Sequence, residues 1–487
     1  MLLGQPIGLE GGIHAFHVTG RSRSRPVRLS GISRAVPYAA AMTLGQSPGT
    51  RPRLSVLGTG YLGATHAVCM AELGYDVIGL DVDEAKVARL SAGEVPFFEP
   101  GLPELLRKTL DSGRLRFTTS YEEVAEFADV HFVCVGTPQS KGSYAADMTY
   151  VEAAFSTLAP LLTRPALVVG KSTVPAGTAQ RMSDLVTSLA PSDGVEVAWN
   201  PEFLREGFAV EDTLHPDRLV FGVHSEAAEQ TLRAAFAPIL EAGTPVVVTD
   251  FATAELVKVA ANSFLATKIS FINAMAEVCE VVHADVTKLS EALGYDTRIG
   301  KRFLHAGLGF GGGCLPKDIR AFMARAEELG AQDALAFLEE VDRINKRRRA
   351  RAVDLGRELL DGEYAGKRVC VWGAAFKPNS DDIRDSPALD VAAAVQKLGA
   401  AVVVYDPEAM ANAKRAYPQL AMASSALEAA RGADALLLLT EWSEFREMDP
   451  AKLASVVGSA RIVDGRNALD PVVWRAAGWT YRALGRP

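Results

Sequence analysis

Cys314 stands in the run Gly309-Phe310-Gly311-Gly312-Gly313-Cys314-Leu315-Pro316-Lys317-Asp318. A thiol can add to an electrophilic carbon and later leave, and it does so best as the thiolate. Glycines on its flank let backbone come close to a ligand and turn N–H groups toward a developing oxyanion. A cysteine buried for packing alone is the simpler alternative, but it has no need of the charges that Lys317 and Asp318 bring. Two further clusters carry suitable chemistry. Glu202 and Glu206, in Asn200-Pro201-Glu202-Phe203-Leu204-Arg205-Glu206-Gly207, share a face only if that segment is helical; taken alone they read as a solvent-exposed pair. Lys258 and Asn262 lie at i and i+4 in a long apolar helical segment that begins near Glu255. A lysine buried there is expected to have its pKa lowered toward catalytic use.

These residues need a scaffold, and the sequence supplies an α/β rhythm. A strand over Arg53–Leu57 runs into Gly58-Thr59-Gly60-Tyr61-Leu62-Gly63 and a helix through Leu73. That order of strand, glycine turn and helix start fits a dinucleotide pyrophosphate. A second strand over Asp76–Leu80 ends at Asp81, about 20 residues on, where an acid can take the ribose hydroxyls and repel a 2′-phosphate. The expected cofactor is therefore NAD. Strands over Val130–Val135 and Ala166–Val169 end at Gly136-Thr137-Pro138 and Lys171-Ser172-Thr173-Val174-Pro175. Ligands of open parallel sheets bind beyond such strand ends, so Thr137, Ser172 and Thr173 are expected to touch cofactor or substrate, although plain turn residues would look the same.

Residues 250–345 read mainly as helix. A second α/β unit opens at Arg368-Val369-Cys370-Val371-Trp372-Gly373, and its strand Ala401–Tyr405 again ends in an acid, Asp406. Gly373-Ala374-Ala375-Phe376-Lys377 lacks the fingerprint glycines, so no second NAD is expected. Residues 1–50 carry Arg21, Arg23, Arg25, Arg28 and Arg34 against one acid, Glu10; they read as a disordered or over-extended start ahead of Met42.

The 487 residues bear a formal net charge of −8 with 23% charged residues, which gives no footprint for nucleic acid. The basic run Lys346-Arg347-Arg348-Arg349 reads as a solvated helix face. Cys69, Cys134, Cys279, Cys314 and Cys370 are scattered, which argues against a disulfide framework or a metal site and suits a reducing cytosol. No apolar run reaches the roughly 18 residues of a membrane span.

Taken together, these motifs resemble the UDP-glucose/GDP-mannose dehydrogenase family over residues 52–482. The resemblance implies two Rossmann-like doubly wound domains joined by a central helical dimerisation segment, here 51–250, 251–345 and 346–487, after an extension over 1–50. It implies oxidation of a nucleotide-sugar C6 alcohol to a carboxylate with two NAD, through a thiohemiacetal and a thioester on Cys314. UDP-glucose is the expected substrate; GDP-mannose, a UDP-N-acetylhexosamine, or a non-catalytic binding role are the alternatives. Lys258 and Asn262 would hold the C6 oxygen, Asp318 would handle water, Glu202 would accept a proton, and Thr137 would assist. Cofactor contacts would fall to Gly58–Gly63, Asp81, Lys86, Val135, Gly136, Thr137, Pro138, Gln139, Ser172, Thr173, Glu206, Lys317 and Arg384. Substrate contacts would fall to residues 202–206 (Glu202, Phe203, Leu204, Arg205, Glu206), to Lys258 and Asn262, to His305, Gly309, Phe310 and Gly311, and to Phe376, Lys377 and Arg466. Arg298 would reach a neighbouring subunit's site in a homodimer or larger assembly. His305 replaces a lysine often found in relatives, which weakens its expected phosphate contact at neutral pH.

Overall fold

The computed structural model of the chain describes residues 51–487. The expectations for residues 1–50 and for Met42 lie outside these residues.

The first half is built on strands β1 (Leu54–Leu57), β2 (Val77–Leu80), β3 (Leu115–Thr118), β4 (Val130–Val133), β5 (Ala166–Gly170), β6 (Val195–Trp199), β7 (Leu219–Gly222) and β8 (Val246–Thr249). They form one sheet in the order β3-β2-β1-β4-β5-β6-β7-β8. All neighbours are parallel except β6 and β7. Alternate side chains feed two cores. Leu54, Val56, Phe132 and Val169 belong to one, and Leu57, Ile78, Val133 and Val168 to the other. Burial on both faces is why these strands read as continuous apolar runs.

The second half repeats the plan with β9 (Arg368–Trp372), β10 (Ala401–Tyr405), β11 (Ala421–Met422), β12 (Ala435–Leu438), β13 (Arg461–Asp464) and β14 (Thr480–Ala483). Their order is β11-β10-β9-β12-β13-β14, all parallel. In each half the first strand sits between the second and the fourth, so the chain reverses direction across the sheet beside it. That reversal opens a crevice at the carboxyl ends of the strands.

Between the sheets lies a helix of 32 residues, Phe251–Val282, started by Asp250, whose carboxylate accepts the Thr253 N–H at 2.8 Å. The helices Leu315–Glu328 and Phe337–Leu359 pack against it. The last of these continues without a break through residues 345 and 346 into the second half.

This helix corrects one expectation. Lys346 and Arg347 are exposed, but Arg348 is fully buried, with its guanidinium 3.1 Å from Glu280, and Arg349 is buried against Asp385 at 2.8 Å. A helix turns about 100° per residue, so four consecutive basic residues cannot share one solvated face. Glu277 and Glu280 across the helix pair, and Asp385 from a later loop, supply the counter-charge.

Candidate active site

The turn after β1 crosses the crevice of the first half. A Cβ on Gly63 would overlap the Gly58 carbonyl, and one on Gly58, at φ +85°, would press on Val135. Gly60 and Gly136, by contrast, have nothing within 4 Å of a built Cβ. Two glycines thus serve packing and two face open space on either side of the crevice, as a pyrophosphate lying close to backbone requires. Asp81 ends β2. Its carboxylate takes the Thr59 N–H at 2.9 Å and the Lys86 ammonium at 2.9 Å. Burial works against its charge, but these partners hold its pKa below the usual carboxylate range. The Ser172 hydroxyl donates to the Val135 carbonyl at 2.6 Å, and that of Thr137 donates to the Thr173 carbonyl at 2.8 Å, so the ends of β4 and β5 are laced together beside the crevice. These residues fit NAD.

Cys314 caps the Leu315–Glu328 helix, whose first turn carries Lys317 and Asp318. Asp318 is buried; one oxygen accepts the Asn262 amide at 2.6 Å and the other the Lys317 ammonium at 2.6 Å. Lys317 also reaches the Thr137 hydroxyl at 3.4 Å. Lys258, one turn before Asn262 on the same helix face, is buried and pairs with Glu202 at 2.9 Å. Five sequence-predicted residues, Cys314, Asp318, Lys258, Asn262 and Glu202, thereby come together around one thiol from three separate stretches of chain.

The electrostatics differ from expectation in one respect. Burial pulls the Lys258 pKa down, but Glu202, Cys314 and Asp318 outweigh it and hold the amine above the ordinary lysine range. Burial does depress Lys377 and, to about 8, Lys171, which donates to Asn200 at 2.8 Å within the core between Phe132 and Phe236. The Cys314 side chain keeps solvent access yet is closely surrounded by protein. Burial, then Asp318 and Glu202, push its thiol up to about 12, with Lys258 opposing. The thiol therefore rests protonated, and losing that proton requires a base or an arriving positive charge.

Glu202 and Glu206 do not share a helix face, because residues 201–205 are irregular. Glu202 turns to Lys258. Glu206 turns to the second half, where Arg384 pairs with it at 3.1 Å and the Ser380 hydroxyl donates to it at 3.2 Å. Burial, then Asp382, push the Glu206 carboxyl up to about 7. The glycines ahead of Cys314 are also claimed by the second half rather than left free. A Cβ on Gly309 would overlap Asn345, one on Gly312 would press on Phe376, and one on Gly313 would overlap Arg384. The Gly312 N–H donates to the Arg384 carbonyl at 2.8 Å, and the Phe310 N–H to Asn345 at 2.7 Å. Arg466 donates to the carbonyls of Leu439, Gly309 and Phe376 at 2.7, 3.1 and 3.0 Å, tying the cysteine loop to the Phe376-Lys377 turn.

Three predicted residues stay apart from this cluster. Arg205 pairs with Asp212 at 2.6 Å, and His305 and Arg298 are exposed, the latter held by Asp296. One residue escaped the sequence reading. Buried Glu99 accepts the Gly207 and Ala209 N–H groups at 2.6 and 2.7 Å and the Tyr61 hydroxyl, joining the nucleotide turn to the loop that carries both glutamates. Its signal was an acid placed inside the otherwise apolar Pro96-Phe97-Phe98-Glu99-Pro100-Gly101-Leu102.

A nucleotide crevice opening onto a solvent-accessible thiol backed by a buried lysine, amide and carboxylate defines an NAD-dependent oxidoreductase. Comparison with known proteins agrees. Residues 52–240, 252–347 and 370–471 match the NAD binding, central and UDP binding domains of the UDP-glucose/GDP-mannose dehydrogenase family. A UDP-glucose 6-dehydrogenase of Rhizobium meliloti is 41% identical over 89% of this chain and 100% of its own. A UDP-glucose dehydrogenase structure from Pyrobaculum islandicum superposes with a TM-score of 0.83 at 38% identity, covering 91% of this chain and 100% of its own. A UDP-D-ManNAc dehydrogenase structure from Pyrococcus horikoshii gives 0.78 at 28%, covering 89% and 99%. The chain belongs to the UDP-glucose/GDP-mannose dehydrogenase family.

Proposed function

We propose that the chain oxidises UDP-glucose to UDP-glucuronate in two successive steps, with an aldehyde and then an acyl group held on Cys314. The observation that carries this reading is the convergence of Cys314, Lys258, Asn262, Asp318 and Glu202 around one thiol. NAD, when bound, supplies the acceptor for each hydride. The Lys258 ammonium, kept charged by Glu202, and the Asn262 amide stabilise the negative charge that develops on the C6 oxygen. A lysine so held is a poor base, which leaves Asp318 to draw the alcohol proton through water. Cys314 then adds to the aldehyde, so a reactive intermediate stays fixed while the cofactor is exchanged. Asp318 and Glu202 handle protons again when water releases the acid. UDP-glucose is preferred over GDP-mannose or a UDP-N-acetylhexosamine because the relatives of similar length bear that name.

In this reading residues 51–250 bind NAD, 251–345 supply the helical catalytic and dimerisation segment, 346–487 bind the UDP-sugar, and the protein works in the cytosol. A homodimer is supported by Phe264, Phe271 and Val278, which are 66%, 49% and 52% exposed at seven-residue spacing on the Phe251–Val282 helix and form one apolar stripe. No described helix is long and apolar enough to cross a membrane.

Incubation with NAD and each of the three nucleotide sugars tests the substrate. About two NADH per UDP-glucuronate is the expected ratio, because an alcohol becomes an acid by two hydride transfers; one NADH with free aldehyde would refute the covalent scheme. Cys314→Ser should keep the fold and NAD binding, lose about a thousandfold or more in turnover, and accumulate a sugar adduct visible by mass spectrometry, because an oxygen ester hydrolyses more slowly than a thioester. Near-parental turnover would return Cys314 to a packing role.

A further inference from the structure

Two adjoining cavities lie behind Asp318, and no residue of 309–314 lines either. The inner one, about 20 Å³, touches Asp318, Lys317 and Thr173; the outer one, about 210 Å³, opens past Arg181 and Glu328. Ala146, Ala321 and Arg325 line both. Asp318, Ala321, Arg325 and Glu328 follow at three- and four-residue steps along the Leu315–Glu328 helix, so one helix face leads from the buried carboxylate to an exposed side chain about 15 Å away. Arg325 stands midway, its guanidinium fixed by the Ala176 carbonyl at 3.0 Å and by Glu328 at 2.7 Å.

We propose that this path delivers the water that hydrolyses the thioester, entering from the side opposite the glycine-rich loop. The inference rests on the UDP-glucose reading above. During hydrolysis the sugar is bound to Cys314 and fills the cleft at the thiol, so water needs another approach. A cavity of about 20 Å³ exceeds the roughly 10–15 Å³ that one water needs, and Asp318, Lys317 and Thr173 supply the two to four polar partners that hold it. Asp318 is already oriented by Asn262 and Lys317. Water adds to the acyl carbon and gives a proton to Asp318, the C–O bond forms, the C–S bond breaks, and the sulfur leaves as thiolate and regains a proton. Acid and thiol are the products, and no electrons are exchanged. Ala321 and Ala146 gain a role through size alone: a larger side chain at either position would plug the path.

The test is stopped-flow NADH formation by full-length Ala321→Leu and, from the opposite wall, Ala146→Leu, with UDP-glucose and saturating NAD. Both hydride transfers precede hydrolysis, so the plugged enzymes should give a parental burst of about two NADH per site, then a steady state slowed about tenfold, with acyl-enzyme accumulating by mass spectrometry. Parental rates in both phases would overturn the path. Equal slowing of burst and steady state would also overturn it, because the cavity would then belong to the cofactor or sugar seat. If Ala321→Leu fails to fold, Ala146→Leu carries the test. A parent enzyme that forms no NADH from UDP-glucose would overturn the substrate reading, and the inference with it.

Discussion

The two sheet halves share a strand order and a corner, and they use that corner in opposite ways. In the first, Gly60 and Gly136 leave open space and Asp81 is reached by Thr59 and by the ammonium of Lys86. In the second, Asp406 occupies the same place after β10. It is fully buried, with one oxygen taking the Ala374 and Ala375 N–H groups and the Trp442 indole, and the other the Glu408 and Ala409 N–H groups. Thr440 fills the space over Gly373. An acid at the end of the second strand is therefore not a ribose signal in itself. What decides is whether the turn opposite it leaves room for a ligand or has been filled by the chain.

The largest expected effect breaks the open corner. Gly60→Val should weaken NAD binding by a hundredfold or more, about 3 kcal/mol, because the added methyl groups enter the space a pyrophosphate needs. Ala375→Gly in the other half should create no second site, and calorimetry should keep giving one NAD per chain. Two NAD in that variant would mean the corners are alike.

Next come the acids. Asp406→Asn should cost about 3 kcal/mol of stability in chemical denaturation, since an amide turns an N–H toward buried donors. Asp81→Asn should change stability by less than about 1 kcal/mol. It should instead narrow the preference for NAD over NADP in steady-state assays, because the charge that repels a 2′-phosphate is gone. Equal stability losses in the two variants would erase the distinction.

The smallest effect lies where the halves meet. The Glu206 carboxyl rises from its unfolded value near 4.5 to about 7, so the folded chain binds this proton more tightly than the unfolded one. Its contribution is complete below pH 4.5 and is lost as pH rises through 7. Glu206→Gln should remove that slope in melting curves taken between pH 4.5 and 7.5. An unchanged slope would assign it to other groups.

Much of this was legible in the sequence where the cause is local. β1, the glycine turn and Asp81 follow one another within the chain, and Lys258 and Asn262 share a helix face by spacing alone. The rest depends on partners far along the chain. The charge of Lys258 is set by Glu202, 56 residues earlier, so burial alone gave the wrong direction. Arg348 looked solvated until Glu280 crossed it, 68 residues away. The missing glycines already set the second corner apart from the first, but not that Asp406 is wholly taken up by backbone and Trp442, and Glu99 earned no notice because its partners, Tyr61 and the Gly207 and Ala209 N–H groups, lie 38 to 110 residues away.

The loop that carries Cys314 is upstream of the second sheet in the chain but fastened to it, through Asn345 and Arg349 to Phe310, Arg384 to Gly312, and Arg466 to Gly309. For inheritance this means that the three matched segments are not freely exchangeable parts. A recombination that joined the first two to a foreign third would leave the Cys314 loop facing the wrong neighbours. Chimeras are therefore expected to work only when residues 309–313, 345–349, 376–384 and 466 travel as a set, and a split gene should regain activity only when its pieces reunite around that loop.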